Sequence, residues 1–258
     1  ARKIFDPRDD AVLNYLDDDG RSIEPDFYMP TIPMVLVNGT EGIGTGFSCY
    51  VPPFNPKDIK DNIGRILDGK QVVPMRPWFR GFKGKVHKED DTWMMEGVWN
   101  WKGMNIVVTE LPPGRWTQDY KEYLEGLVEK KLIGGFTNNS TTEDVHFEIE
   151  DYTGKDLLKD LKLRKTFRVS NMHLFHPTRG IHKYSSPEEI LKDFVELRED
   201  HYVKRKAHLI KVLETRATMC GYKSKFVTMV IEGNIVVFKR KKQDLEEELS
   251  KTFPKIGG

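Results

Sequence analysis

Apolar and polar positions change their spacing several times along the chain, and the changes mark its elements. Residues 10–16 carry a short helical pattern that ends in the turn Asp17-Asp18-Asp19-Gly20. The unbroken apolar run Met34-Val35-Leu36-Val37 reads as a strand leading into a glycine-rich stretch. Asn55-Pro56 supplies an N-cap and a proline at the first helical position, and Ile59, Ile63, Ile66 and Leu67 keep the helical period until Gly69 stops it. From residue 78 the spacing is that of strands, 78–87, 92–101 and 105–110, separated by Asp90-Asp91 and Lys102-Gly103 as in an antiparallel meander. Helix returns at 117–132, strand at 145–150, helix at 154–163 and short strands at 166–169 and 172–175, which together predict an α+β body.

The last third differs. Ser186-Pro187-Glu188-Glu189 is a capping box with proline at N1. Apolar residues then recur at Ile190, Phe194, Leu197, Tyr202, Leu209, Leu213, Ala217 and Cys220, with no convincing break before Gly233. A helix of about 45 residues would run nearly 70 Å at about 1.5 Å per residue. That is too long to lie across a compact body, so an arm that projects from it is expected. A strand at 235–238 and a helix at 243–249 follow.

Composition narrows the class. With 258 residues and 14 Phe, 9 Tyr and 5 Trp at a net charge of +1, the chain can bury one large or two modest cores and is not disordered throughout. The two cysteines, Cys49 and Cys220, make no disulfide framework and fit a reducing compartment. No apolar run reaches the roughly 18 residues of a membrane span, so an intracellular protein without membrane partners is expected. The chain opens at Ala1 without an initiator Met, as expected of a piece of a longer polypeptide. Its near-zero net charge conceals segregation. Residues 1–30 hold eight acidic against four basic side chains, residues 57–88 nine basic against three acidic, and residues 155–183 eight basic against two acidic. The basic segments suggest a polyanion footprint, a pattern that a solvated surface also produces.

Candidate chemistry is sparse. Asn38-Gly39-Thr40-Glu41-Gly42-Ile43-Gly44-Thr45-Gly46 invites comparison with a phosphate-binding loop, but it lacks a GK[ST] ending, and Pro52-Pro53 follow too soon for the required helix. Ile43, an apolar residue flanked by glycines, is either buried by packing or offered as a wedge to a partner. Glu110 to Gln118 ends a strand and opens a helix, where Arg115 and Trp116 could meet phosphate and sugar; on spacing alone Trp116 is more often a core aromatic. The three aspartates before Gly20 lack the other ligands of a calcium loop. His173, His176 and His182 lack a completing zinc ligand pair, which favours structural roles. No catalytic constellation stands out.

The stretch from Ile23 to Gly46, Ile-Glu-Pro-Asp-Phe-Tyr-Met-Pro-Thr-Ile-Pro-Met-Val-Leu-Val-Asn-Gly-Thr-Glu-Gly-Ile-Gly-Thr-Gly, closely resembles the eukaryotic-type DNA topoisomerase II family in the sequence that follows its active-site tyrosine. The resemblance continues through Pro77-Trp78-Phe79-Arg80-Gly81, Glu110-Leu111-Pro112, Trp116-Thr117-Gln118, Lys183-Tyr184, Phe194-Val195-Glu196-Leu197-Arg198 and Lys204-Arg205-Lys206, and so covers nearly the whole chain. Cellular organisms and large DNA viruses both carry such enzymes.

The resemblance implies an ATP-driven homodimer that cuts both strands of one duplex through tyrosyl-DNA bonds, passes a second duplex and reseals the break. It divides the chain into the tail of a winged-helix domain (1–33), a tower domain with an antiparallel or mixed sheet (34–185), a coiled-coil arm helix (186–231) and the start of the exit gate (232–258). Ile43 matches the isoleucine that inserts between base pairs, in a DNA-contacting loop that includes Gly42, Gly44 and Thr45. Trp116 matches a tower tryptophan that touches DNA, and Arg115 beside it is expected to join it as a DNA contact. Arg168, Ser170 and Asn171 align with the ends of a DNA-contacting segment that is longer and richer in Ser and Thr in the family. The catalytic tyrosine is expected upstream of Ala1; neither Tyr15 nor Tyr28 lies in its motif, and no catalytic residue is assigned here. Mg2+ and ATP are expected to bind outside this chain, whose partner is double-stranded DNA. The expected location is the nucleus for a cellular source, or host cytoplasm, viral factory or nucleus for a viral one. The rival reading is a non-catalytic DNA-bending module of the same ancestry.

Overall fold

The computed structural model describes residues 2–46, 48–176 and 179–254. In chain order the elements are β1 (Tyr15–Asp18), β2 (Arg21–Pro25), α1 (Met34–Asn38), β3 (Thr40–Ile43), β4 (Ser48–Val51) and α2 (Pro56–Leu67), then the strands β5 (Lys85–Glu89), β6 (Thr92–Glu96), β7 (Val98–Lys102) and β8 (Asn105–Glu110). They continue with α3 (Thr117–Glu129), β9 (Gly135–Asn138), β10 (Phe147–Glu150), α4 (Leu157–Asp160), β11 (Arg164–Phe167), β12 (Met172–His176), β13 (Gly180–Tyr184), α5 (Pro187–Ile231) and α6 (Lys242–Thr252). The mixture is α+β with antiparallel pairing in every described sheet. It divides into two compact units, one within Ala1–Thr31 and Glu196–Gly258, the other Ile32–Val195.

The unit Ile32–Val195 has two hydrophobic cores. In one, the four-stranded sheet β7-β8-β10-β9 is covered by α3, whose Tyr120, Leu124 and Leu127 fall on one face at helical spacing and meet Ile106, Val108, Phe147 and Ile149. The other gathers Leu36 of α1, Val51 of β4, Ile59 of α2, Met172 of β12, Tyr184 of β13 and Leu191 of α5. The starts of α2 and α5 are explained by their caps. The Asn55 side chain accepts the Lys57 amide at 2.9 Å, and buried Asn62 exchanges two bonds of 2.9 Å with the Val73 backbone, closing the loop after α2. At α5 the Ser186 hydroxyl accepts the Glu189 amide, while the Glu189 carboxylate reaches back to the Ser185 amide and hydroxyl, which hold its pKa below the ordinary range.

Between β6 and β7 a single residue separates two sheets. The Gly97 amide donates to the Leu163 carbonyl at 2.9 Å, and a Cβ on Gly97 would collide with the Glu110 carbonyl oxygen. On one side β6 joins the three-stranded sheet β11-β6-β5; on the other, β7 joins β8, with a register irregularity at Val98/Trp99.

In the other unit, β1 and β2 form a hairpin whose turn, Asp19 and Gly20, has φ of 50° and 80°. Two positive φ values are what a tight primed hairpin turn requires, and the Asp17 carboxylate accepts the Gly20 amide at 3.0 Å. Buried Asp9 accepts from Arg198 of α5 at 2.8 Å and from Arg205 at 3.3 Å, and the Arg198 guanidinium lies over the Tyr202 ring at 4.1 Å. Beyond α5, the Phe253 ring packs edge-on against Tyr222 and Phe226.

Several sequence expectations change. The helix expected at 10–16 is instead a 3-10 helix at Pro7–Val12, capped by Asp6, which gives way to β1. The run 34–37 is the helix α1, not a strand. The expected strand 78–87 begins only at Lys85, the expected strand 92–101 is divided at Gly97, and the expected helix 154–163 is confined to Leu157–Asp160. No strand forms at 235–238; the residues around it are turns. The ribbon β3–β4 and strands β9 and β13 were not indicated by the pattern. The long helix starts after Ser186 as expected and passes through Gly221 unbroken for 45 residues.

Gly97→Ala is expected to destabilise the protein by about 1–3 kcal/mol, the usual cost of forcing a methyl group into filled space. Chemical denaturation of the two proteins side by side measures the difference.

Candidate nucleic-acid interface

The glycine-rich stretch becomes the β3–β4 ribbon, and its exit from α1 depends on one glycine. Gly39 has φ 70° and ψ 171°, a region essentially reserved for glycine. A Cβ there would lie 2.8 Å from the Val51 carbonyl oxygen and 2.9 Å from the Pro53 nitrogen. The chain therefore turns directly from helix into a strand in which Thr40 faces Val51, Glu41 faces Tyr50, Gly42 faces Cys49 and Ile43 faces Ser48. Ile43, at the far end, is 94% exposed. No heavy atom lies within 4 Å of a Cβ placed on Gly42, so the fold itself does not demand glycine there. Gly44 and Thr45 continue past Ile43 and are exposed.

A groove of about 910 Å³ runs beside the ribbon, lined among others by Gly42, Ile43 and Tyr50, by Lys165 and Phe167 of β11, and by Arg168, Ser170 and Asn171. Of the residues singled out in the sequence, Gly42, Ile43, Arg168, Ser170 and Asn171 thus meet at one place. Arg115 and Trp116 lie outside the lining but follow Pro113 and Gly114, which belong to it. Trp116 is the N-cap residue of α3, makes no capping bond and is 71% exposed. It is therefore not the core aromatic that its spacing favoured.

The charges in the groove remain available. Lys165 Nζ donates to the Pro113 carbonyl at 3.2 Å and Arg168 Nε to Thr92 Oγ1 at 3.4 Å. Both acceptors are neutral, so these bonds orient the cations without cancelling them. Arg164, their neighbour on β11, is by contrast paired with Glu96 at 2.7 Å. The carboxylate in the lining is Glu41. Burial first, and the Glu41 charge second, push the Tyr50 phenol up to about 12, so it stays protonated at neutral pH and adds no negative charge. Its ring meets Phe167 edge-on at 5.6 Å, and Phe167 stacks on Trp93 at 6.5 Å, a packed aromatic layer of which Tyr50 and Phe167 reach the lining.

Sequence reasoning located the basic segment that holds Lys165 but not the residue. Tyr50 and Phe167 carried no signal, because strands distant in sequence bring them together. Among the histidines, His173 joins the groove side through the ribbon, with Nδ1 3.2 Å from the Ser48 carbonyl oxygen. His176 and His182 lie 3.6 and 3.7 Å from the Asp193 and Glu189 carboxylates. Among the described residues no group of three or more His, Cys, Asp or Glu side chains is placed to hold a metal ion, and no helix is long and apolar enough to cross a membrane.

Residues 1–256 match the family model for the A-subunit of DNA gyrase/topoisomerase IV. The chain is 41% identical to DNA topoisomerase 2 of Pisum sativum, with 96% of this chain and 18% of that protein aligned. It is 35% identical to DNA topoisomerase 2 of Saccharomyces cerevisiae, over 99% of this chain and 19% of that one. It thus spans under a fifth of the length of these relatives. A crystal structure of the Plasmodium falciparum topoisomerase II DNA-binding, cleavage and re-ligation domain superposes with a TM-score of 0.91 at 40% identity, covering 98% of this chain and 36% of that one.

The two glycines of the ribbon are expected to separate in a stability measurement. Gly39→Ala should cost about 1–3 kcal/mol through its backbone conformation alone, whereas Gly42→Ala should stay within about 0.5 kcal/mol of the parent. Thermal unfolding of both variants checks the contrast.

Proposed function

This chain belongs to the DNA gyrase/topoisomerase IV A-subunit family, and from that membership and the groove beside Ile43 we propose that it is the part of a type II DNA topoisomerase that binds and bends the duplex to be cut. The observation that carries the proposal is Ile43. A β-branched apolar side chain held at the end of a ribbon and 94% exposed has the shape and chemistry of a wedge between base pairs. Unstacking a step costs a few kcal/mol and is offset by the contacts that a bent duplex gains. Lys165 and Arg168 supply those contacts as phosphate-binding cations, and Trp116 with the uncapped start of α3 supplies a further sugar and phosphate site. Arg115 and Ser170 complete the set, Asn171 stands beside Ser170 in the groove lining, and Gly42, Gly44 and Thr45 let the duplex approach the ribbon closely. Because such contacts read the backbone and its deformability, sequence preference is weak.

In the same proposal residues 1–33 are the tail of the winged-helix domain, 34–185 the tower, 186–231 the coiled-coil arm and 232–258 the start of the exit gate. The full enzyme is an ATP-driven homodimer. Its tyrosine nucleophile, Mg2+ and ATP belong to residues outside this chain, and nothing proposed for these residues passes through them. The nucleus is its place in a cellular source.

Ile43→Ala in the full-length protein is expected to reduce DNA bending and cleavage while leaving the unfolding midpoint in place. Energy transfer between dyes on the two duplex ends reads the bend, and an unaltered signal would remove the wedge assignment. Lys165→Ala should weaken binding about equally on unrelated sequences and lower the slope of log affinity against log salt by about 0.9, the value for one phosphate contact. A salt titration followed by anisotropy measures it, and an unchanged slope would take Lys165 out of the phosphate-binding set.

A further inference from the structure

Asn171 lines the groove, and the resemblance places it among DNA contacts, yet its hydrogen bonds turn toward the ribbon. Asn171 Nδ2 donates to the Ser48 hydroxyl at 2.9 Å. Its main-chain carbonyl oxygen, independent of the side chain, accepts the Tyr50 amide at 3.3 Å. His173 Nδ1 lies 3.2 Å from the Ser48 carbonyl oxygen and 3.1 Å from the Asn171 carbonyl oxygen. Both of these partners can only accept, so Nδ1 carries the hydrogen and donates to them. Ser48 is thus held through its hydroxyl and its carbonyl, and it is the residue that faces Ile43 across the ribbon.

A two-stranded ribbon is marginally stable by itself in water. One that must push an apolar side chain into a base stack needs support from behind, because a loose ribbon would have to be ordered at every binding event. We propose that Asn171 and Ser48, with His173, are positioning residues: they brace the β3–β4 ribbon so that Ile43 is presented in the orientation that bends the duplex. The brace rests on the reading of Ile43 as the wedge. It makes Asn171 act on DNA through Ser48 and Ile43, and it gives Ser48 a part in bending although Ser48 itself need not touch DNA.

Ser48→Ala separates the two roles open to Asn171, since it removes the hydroxyl partner and leaves the Asn171 amide free to reach a duplex. In the full-length protein, with end-labelled duplex, the ratio of bent to straight DNA is expected to fall about tenfold in both Ser48→Ala and Asn171→Ala, the scale of one lost hydrogen bond. Ser48→Thr keeps the hydroxyl and should restore bending. In the Ile43→Ala background Ser48→Ala should cause no additional loss of bending, whereas a general loosening of the fold would add to it. If Ile43→Ala abolishes bending and Ser48→Ala leaves it at the parent level, the brace is wrong and Asn171 is a direct contact. If Ile43→Ala leaves bending intact, the wedge reading fails first and takes the brace with it.

Discussion

The approach of Gly97 to the Glu110 carbonyl is the constraint on which the body around the groove depends. Only a residue without a side chain can occupy the point where β6 leaves one sheet and β7 enters another. Its amide is spent on the Leu163 carbonyl, directly before β11. That bond ties the strand carrying Lys165 and Phe167 to the junction, while Glu110 leads the chain into the Leu111–Pro113 corner and α3. The junction thereby fixes both the strand that carries Lys165 and the corner whose Pro113 carbonyl orients it.

What the sequence disclosed follows from how local each determinant is. The starts of α2 and α5 were legible because Asn55-Pro56 and Ser186-Pro187 act within one turn. The run 34–37 was not, since four apolar residues fit a strand or a buried helix equally well. The decision was made by distant partners: Leu36 is fully buried in a core built from β4, α2, β12, β13 and α5. The run 235–238 failed for the complementary reason, that a strand needs a neighbour and no described segment pairs with it. Glycine inside the expected strand 92–101 was the visible trace of a close approach, yet the carbonyl it approaches lies across a hairpin.

The groove shows the same division. Ile43 could be suspected from its flanking glycines, and the resemblance named Arg168, Ser170 and Asn171. Neither the aromatic layer of Tyr50, Phe167 and Trp93 nor the bonds from Asn171 and His173 to Ser48 could be read, because they join β4 to strands and turns distant from it in the chain. The polar lining and the apolar layer also divide their tasks. Cations tied to neutral acceptors keep their charge, and burial moves the Tyr50 phenol still further above neutral pH.

The empty space around Gly42 has a consequence for how this region tolerates change. Selection for abundance in a cell sees only whether the chain folds, and at Gly39 and Gly97 folding and sequence are locked together by collisions within the chain. At Gly42 and Ile43 they are not. A variant library sorted by abundance alone would discard changes at the first pair and retain those at the second, so its survivors would be well-folded proteins that differ at the exposed end of the ribbon.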